Sequence, residues 1–296
     1  TAPNLEDCGL MSFKYEGLHG DDGLLAESEL WSRGFEHSIG RDQKEFVDAP
    51  EPLSRCSADL REEILLTLLD VIRRALAIKV DVLDSQKQLD LVQQTTPRLA
   101  EGTPWFIDDT RNLKKSGVAY PRSKRDKSEF NNLFLSSYGR FGRYLKRALI
   151  PHVTPGTNFG RDDVDRAIRF LLFALKRYGI VEQVRNGRNG DDPGFQINHD
   201  AMRWVAGDGT SKPVDRTRMA ESGEITPEVN KYFVECYRRF VDLKCNLEAR
   251  EHTAQVAADD REERETRFRE GDLPLMFCSP TMELGVDIAQ LNVVNM

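Results

Sequence analysis

The chain has 296 residues, 39% apolar and 31% charged, with 42 Lys and Arg against 49 Asp and Glu and a formal net charge of −7. That composition suits a soluble globular protein with room for two ordinary domains; no run approaches the ~18 apolar residues of a membrane span, and no basic stretch followed by an apolar run opens the sequence, so no signal peptide is expected. The five cysteines (Cys8, Cys56, Cys236, Cys245 and Cys278) form no Cys-x-x-Cys pair, which points to reduced thiols in a cytoplasmic protein rather than to a zinc site.

Residues 1–50 are rich in Gly, Asp and Glu with scattered aromatics, and are expected to be irregular with short helices. A helix is predicted over 57–79, because Leu60, Ile64, Leu65, Leu68, Ile72 and Leu76 recur at spacings of three and four and Ser57 suits its N-cap. A second helix is expected over about 83–94. Pro97, Gly102, Pro104, Gly117 and Pro121 then mark a loop-rich stretch.

The negative net charge hides strong patterning. Residues 111–150 carry eleven Lys or Arg against only Asp126 and Glu129, a local +9. The last part of this region, roughly 128–149, is expected to be a basic helix bent near Gly139 and Gly142. Within it, Arg140, Arg143 and Arg147 interleave with Tyr138, Phe141 and Tyr144. Arginines can neutralise phosphates and aromatics can stack on bases. The plainer alternative is that the aromatics are core and the charges a solvated helix face.

Over 162–206 a helix with Val164, Ala167, Ile168, Leu171, Leu172, Leu175 and Tyr178 on one side is capped by Asp162 or Asp163 and ends at Gly179. Ile180 to Arg185 and Phe195 to Ile197 read as a hairpin with an Asn-Gly-rich tip, followed by a short helix around Ala201 to Trp204. Helix, then hairpin with a Gly, Asn and Arg tip, is the ending of a winged helix; an ordinary helix and hairpin without a ligand is the alternative. After a polar linker, Thr226 is expected to N-cap a helix with Pro227 at its first position and Val229, Tyr232, Phe233, Cys236, Tyr237, Phe240 and Leu243 on one face. A strand over Leu247 to Glu251, a charged helix over 259–270 with Glu263–Arg267 and Glu265–Arg269 pairs, and an apolar strand from Leu273 to Cys278 then form a βαβ unit. Thr1 is not an initiator Met, and Leu291–Met296 reads as a strand that stops without a cap, so a fragment is expected.

The C-terminal 50 residues carry His252, Arg261, Phe268 and Gly271 in order, then Ser279-Pro280-Thr281-Met282-Glu283-Leu284-Gly285-Val286-Asp287-Ile288. This ordered set resembles the second RecA-like lobe of superfamily 2 helicases, with Ser279 where the family usually has Thr in its motif V. The wider pattern, including Arg250 to Gln255, is similar to the large bacterial DEAD/DEAH-type helicases that carry an extra C-terminal domain of unknown function, a group near the helicase subunit of the DISARM phage-defence system. The resemblance implies an α/β plus mostly α fold: a helical insertion region over 1–160, a winged-helix-like unit over 161–210 and a partial RecA-like parallel-sheet lobe over 226–296. It implies that Gly285 and Asp287 face ATP, and that Ser279, Thr281, His252 and Thr253 face nucleic acid. That partner is expected to be DNA, single-stranded or duplex, with a further subunit of a defence complex possible.

No phosphate loop and no Asp-Glu-x-His or Asp-Glu-x-Asp tetrad occurs in the sequence. The resemblance implies ATP and Mg²⁺ as cofactors of the intact protein; without those motifs the Mg²⁺ ligands are expected outside this chain, no catalytic residue is assigned, and no ATPase activity is expected of the chain alone. The five histidines show no metal-ligand spacing and no Gly-x-Ser-x-Gly elbow occurs. The alternatives to a motor enzyme are a non-catalytic winged-helix DNA-binding or partner-docking module, and a scaffold.

Overall fold

The computed structural model describes residues 3–38, 44–95, 113–121, 132–186, 193–218, 228–242, 248–253 and 256–278. The chain divides into two units, Thr1–Val234 and Glu235–Met296.

The first unit opens with β1 (Met11–Tyr15), a short α1 (Ser28–Ser32), the antiparallel pair β2 (Gly34–Ser38) and β3 (Lys44–Asp48), and a short α2 (Glu51–Arg55). Three strands therefore lie where irregular chain is expected. α3 (Ala58–Arg74) follows, with the Ser57 side chain accepting from the Leu60 N–H as its cap. It stops sooner than its apolar spacing suggests, because Leu76 turns to φ 54°. The next residues form β4 (Ile78–Lys79). α4 (Ser85–Thr95), β5 (Ala119–Tyr120) and β6 (Leu133–Phe134) come next. The basic helix, α5 (Arg140–Leu149), is shorter than expected. Its upstream residues Leu133 and Phe134 are drawn into strand pairing with β5, and Gly139 is the N-cap.

α6 (Arg161–Arg177) sits at the centre of the unit. Asp163 Oδ2 accepts the Gly160 N–H at 2.7 Å, Asp162 and Asp163 occupy the first turn, and Lys176 and Arg177 the last, so both ends suit the helix dipole. Val164, Ala167, Ile168, Phe170, Leu171, Leu172, Phe173, Ala174 and Leu175 are all buried. A helix buried on so many sides packs against several partners. Phe170 meets Trp31 edge-on at 5.8 Å and Phe35 at 5.6 Å, while His37 stacks on Phe173 at 4.1 Å. α1 and the β2–β3 hairpin thus cover one side of α6, and α3 and α5 share its core.

The hairpin β7 (Val181–Arg185) and β8 (Gly194–Asn198) follows directly, where the two strand-like runs either side of the Asn-Gly-rich tip place it. β8 also pairs in parallel with β4 and, at Phe195 and Ala119, antiparallel with β5, completing a five-stranded mixed sheet with β6. The short helix expected around Ala201 to Trp204 is instead a 3-10 turn, His199–Ala201, running into β9 (Met202–Ala206). β9 pairs antiparallel with β1, Phe13 opposite Trp204. That pairing joins opposite ends of the unit and overrides the local helical reading. α7 (Lys231–Asp242) begins later than Thr226 and Pro227 suggest, with Asn230 Oδ1 accepting the Tyr232 N–H at 3.0 Å; Thr226 and Pro227 lie outside the described residues.

In the second unit β10 (Ala249–His252), α8 (Ala258–Glu270) and β11 (Leu275–Cys278) form a βαβ arrangement with β10 and β11 parallel, His252 opposite Cys278. Arg264 Nη1 donates to the Glu251 carbonyl at 2.7 Å, tying helix to strand. Of the two predicted ion pairs on α8, Glu265–Arg269 is present at 3.2 Å, whereas Arg267 reaches Glu248. Gly271 takes φ +86° as the helix ends, a conformation that costs other residues steric strain. The fold is thus mixed α/β, and no described helix is long and apolar enough to cross a membrane.

Candidate functional site

The basic helix separates its charges from its aromatics. Phe141 is 2% exposed and Tyr144 6%, so neither ring can stack on a base: both belong to the core. Burial pushes the Tyr144 hydroxyl above the usual phenol range. That hydroxyl donates to Glu63 Oε1 at 2.9 Å, and Glu63 also meets Arg216 at 3.1 Å. The opposite face presents Arg140, Arg143 and Arg147, all exposed. Their spacing of three and four puts them on one side of α5.

Tyr138, just before the helix, is different from the other two rings. It is 59% exposed. Arg161, at the start of α6, lies over it with the guanidinium carbon 4.5 Å from the ring centroid, and its Nη1 donates to the Tyr138 hydroxyl at 3.0 Å. Arg143 Nη1 donates to the Tyr138 carbonyl at 3.0 Å. Asp165 on α6 accepts from the Ser137 N–H at 2.6 Å and from the Ser137 hydroxyl at 3.0 Å. Gly142 makes this turn possible, since a Cβ there would lie 2.2 Å from the Ser136 carbonyl oxygen. Arg161 carries no sequence signal of this role: it reads as an ordinary residue at a helix start, and only the folded chain brings it to Tyr138.

His252 is expected at a nucleic-acid edge. It is instead 1% exposed, with Nε2 2.6 Å from Glu265 Oε1 on α8. A side chain so enclosed acts as a strut between strand and helix rather than as a surface contact. Its Nδ1, and the neighbouring Thr253 hydroxyl, are buried without a hydrogen-bond partner among the described residues. Glu248, at the start of this strand region, is held down to about 2 by the Arg267 guanidinium first and Arg250 second. Ser279, Thr281, Gly285 and Asp287 lie outside the described residues, as does the hairpin tip at 187–192.

A cavity of about 490 Å³ lies between β3, α2, the 153–159 loop and α6, and Glu45, Asp48, Arg166 and Arg169 are among the residues that line it. Sequence inspection does not anticipate it, because its walls come from four separate segments. Among the described residues no group of three His, Cys, Asp or Glu side chains could hold a metal ion. Among the described residues Cys8, Cys56 and Cys236 are free thiols. No protein-family model, no curated protein and no solved structure matches this chain.

Proposed function

We propose that the chain is part of an ATP-dependent superfamily 2 nucleic-acid helicase or translocase. Residues 226–296 would contribute to its second RecA-like lobe, and the preceding region would be an insertion with a winged-helix-like unit. The observation that carries this reading is the parallel pairing of β10 with β11 across α8, joined to the ordered His252, Arg261, Phe268, Gly271 and Ser279 to Ile288 of the sequence. In open α/β sheets ligands gather where parallel strands end. β11 ends at Cys278, one residue before the motif that would grip a sugar–phosphate chain through Ser279 and Thr281 and a nucleotide through Gly285 and Asp287. ATP and Mg²⁺ would be held largely by a first lobe outside this sequence. A setting in phage defence or DNA repair suits the resemblance.

The winged-helix-like reading draws support from element order. α5, α6 and the β7–β8 hairpin follow one another, and β8 lies between β5 and β7 in its pairing. That order also favours the second reading, a non-catalytic DNA-binding or docking module. The two separate in the full-length gene product. A motor hydrolyses ATP faster when single-stranded DNA is added, and Asp287→Ala lowers that stimulated rate at least about tenfold, the loss of ~1.4 kcal/mol of transition-state stabilisation. DNA binding without any ATP hydrolysis would favour the module instead.

A further inference from the structure

We propose that Tyr138 is a stacking platform for a base of single-stranded nucleic acid, backed by Arg161 and flanked by the phosphate-neutralising Arg140 and Arg143. This rests on the reading of the exposed α5 face as a nucleic-acid contact and names the strand form it takes.

Three observations converge on that ring. First, it is the aromatic of its segment that the core does not use: Phe141 and Tyr144 are buried, while Tyr138 remains 59% exposed. Second, it is held still before any ligand arrives. Ser137 is bound to Asp165, the Gly139 N–H donates to the Ser136 carbonyl at 2.9 Å, and Arg143 holds the Tyr138 carbonyl. Arg161 fixes the ring itself, by its guanidinium over the face and by a hydrogen bond to the hydroxyl. A preorganised aromatic loses little rotamer freedom when a base stacks on it. Third, the local charge suits a phosphate chain. α5 has no acidic residue in its first turn, Arg140 and Arg143 are both exposed, and Arg143 donates to a carbonyl rather than to a carboxylate. Of the two acids that open α6, Asp163 is already engaged by the Gly160 N–H and by Arg166.

The choice of single strand over duplex follows from α6. In the winged-helix-like reading α6, the helix directly before the β7–β8 hairpin, is the one that would enter a major groove. Here Trp31, Phe35 and His37 pack onto its Phe170 and Phe173 side, so the hairpin occupies space that a groove would need. A flat ring set among arginines instead suits unstacked bases and a flexible backbone.

The test is fluorescence anisotropy of the full chain with a labelled thymidine 20-mer across a salt series. Tyr138→Ala is expected to weaken binding about tenfold at every salt concentration, the scale of one base–aromatic stack, without changing the slope of log affinity against log salt. Tyr138→Phe keeps the ring and stays within about threefold of the parent, whereas Tyr138→Leu, which keeps bulk but no π face, falls with Ala. Arg140→Glu with Arg143→Glu lowers both affinity and slope, the slope by about 0.7 for each phosphate no longer neutralised. Thermal melts of each variant check that the fold is kept, and the Phe and Leu pair carries the test if Ala unfolds. Parent-like binding by both Tyr138→Ala and Tyr138→Leu overturns the platform and leaves the basic face standing. No binding by the parent chain at low salt removes the basic face and the platform together. Tighter binding of duplex of equal length, or equal binding of polyglutamate, assigns the face to another partner and also overturns the proposal.

Discussion

Arg73 shows what a single buried charge does in this fold. Its side chain is 9% exposed, its Nη2 lies 2.6 Å from Glu6 and 3.1 Å from Asp70, and its guanidinium lies 3.8 Å from the Phe13 ring centroid. The residue thus ties the N-terminal loop to α3 and packs under the β1–β9 pair. Arg73→Ala would leave the 12%-exposed Glu6 carboxylate with only the 3.4 Å contact from Arg74. Stranding a buried charge costs about 3–5 kcal/mol, so the urea midpoint of the first unit should fall sharply. Changing both partners, Arg73→Met with Glu6→Gln, should recover much of that loss, and a double variant as unstable as the single one would contradict this account. His37 acts through pH. Burial first, with Lys176 and Arg169 near it, lowers its affinity for a proton below the ordinary imidazole range, although Glu45 and the Ser38 carbonyl pull the other way. The unfolded chain therefore binds the proton at a higher pH than the folded one. Stability is fully present above about pH 6.5 and is lost as pH falls towards the depressed folded value. His37→Gln should flatten that part of the curve in denaturant titrations at a series of pH values; an unchanged slope would remove His37 as its source.

At the scale of elements, Gly142 sets intrinsic propensity against packing. Alanine is the better helix former by about 1 kcal/mol, so Gly142→Ala in a free helix should stabilise. In this chain the new Cβ would meet the Ser136 carbonyl oxygen at 2.2 Å and Ser137 Cα at 2.7 Å. Both are backbone atoms of the turn that Asp165 holds, so neither yields cheaply. We expect net destabilisation of about 1–3 kcal/mol, the usual cost of overpacking, read as a lower melting temperature with weakened single-strand binding; a rise in melting temperature would show that the turn gives way. The same contrast explains which elements were legible. α3, α6, α8 and the β7–β8 hairpin declare themselves through local period, caps and turn residues, and these lie where expected within a few residues. β1, β9, β5 and β6 are short and pair with distant segments, so their stability comes from partners that no local window contains. For the site, the arginine face of α5 could be read from spacing alone. The Tyr138–Arg161 contact could not, because it joins the turn before α5 to the first residue of α6.

Across the whole molecule, burial is distributed unevenly. In the first unit α3, α5 and α6 feed one continuous core. Among the described residues of the second unit only His252 and Leu273 are buried, while Leu275 is 49% exposed and Phe277 61% exposed. α8 is strongly polar and buries no residue, so the His252–Glu265 and Arg267–Glu248 contacts and the parallel pairing do most of the holding. Exposed ion pairs contribute little each, whereas every buried apolar side chain of α6 contributes roughly 1.5–3 kcal/mol. Local opening should therefore cost far less in α8 and β11 than in α6. Hydrogen exchange read by mass spectrometry tests this directly: peptides covering 258–278 should exchange at least about a hundredfold faster than those covering 164–175, since ~2.8 kcal/mol of opening free energy separates rates by that factor. Equal protection in the two stretches would mean that the second unit draws on burial beyond its described side chains. If the helicase reading holds, the remainder of the intact protein should slow exchange in 258–278 and leave 164–175 unchanged, because Leu275 and Phe277 are apolar side chains still open to cover.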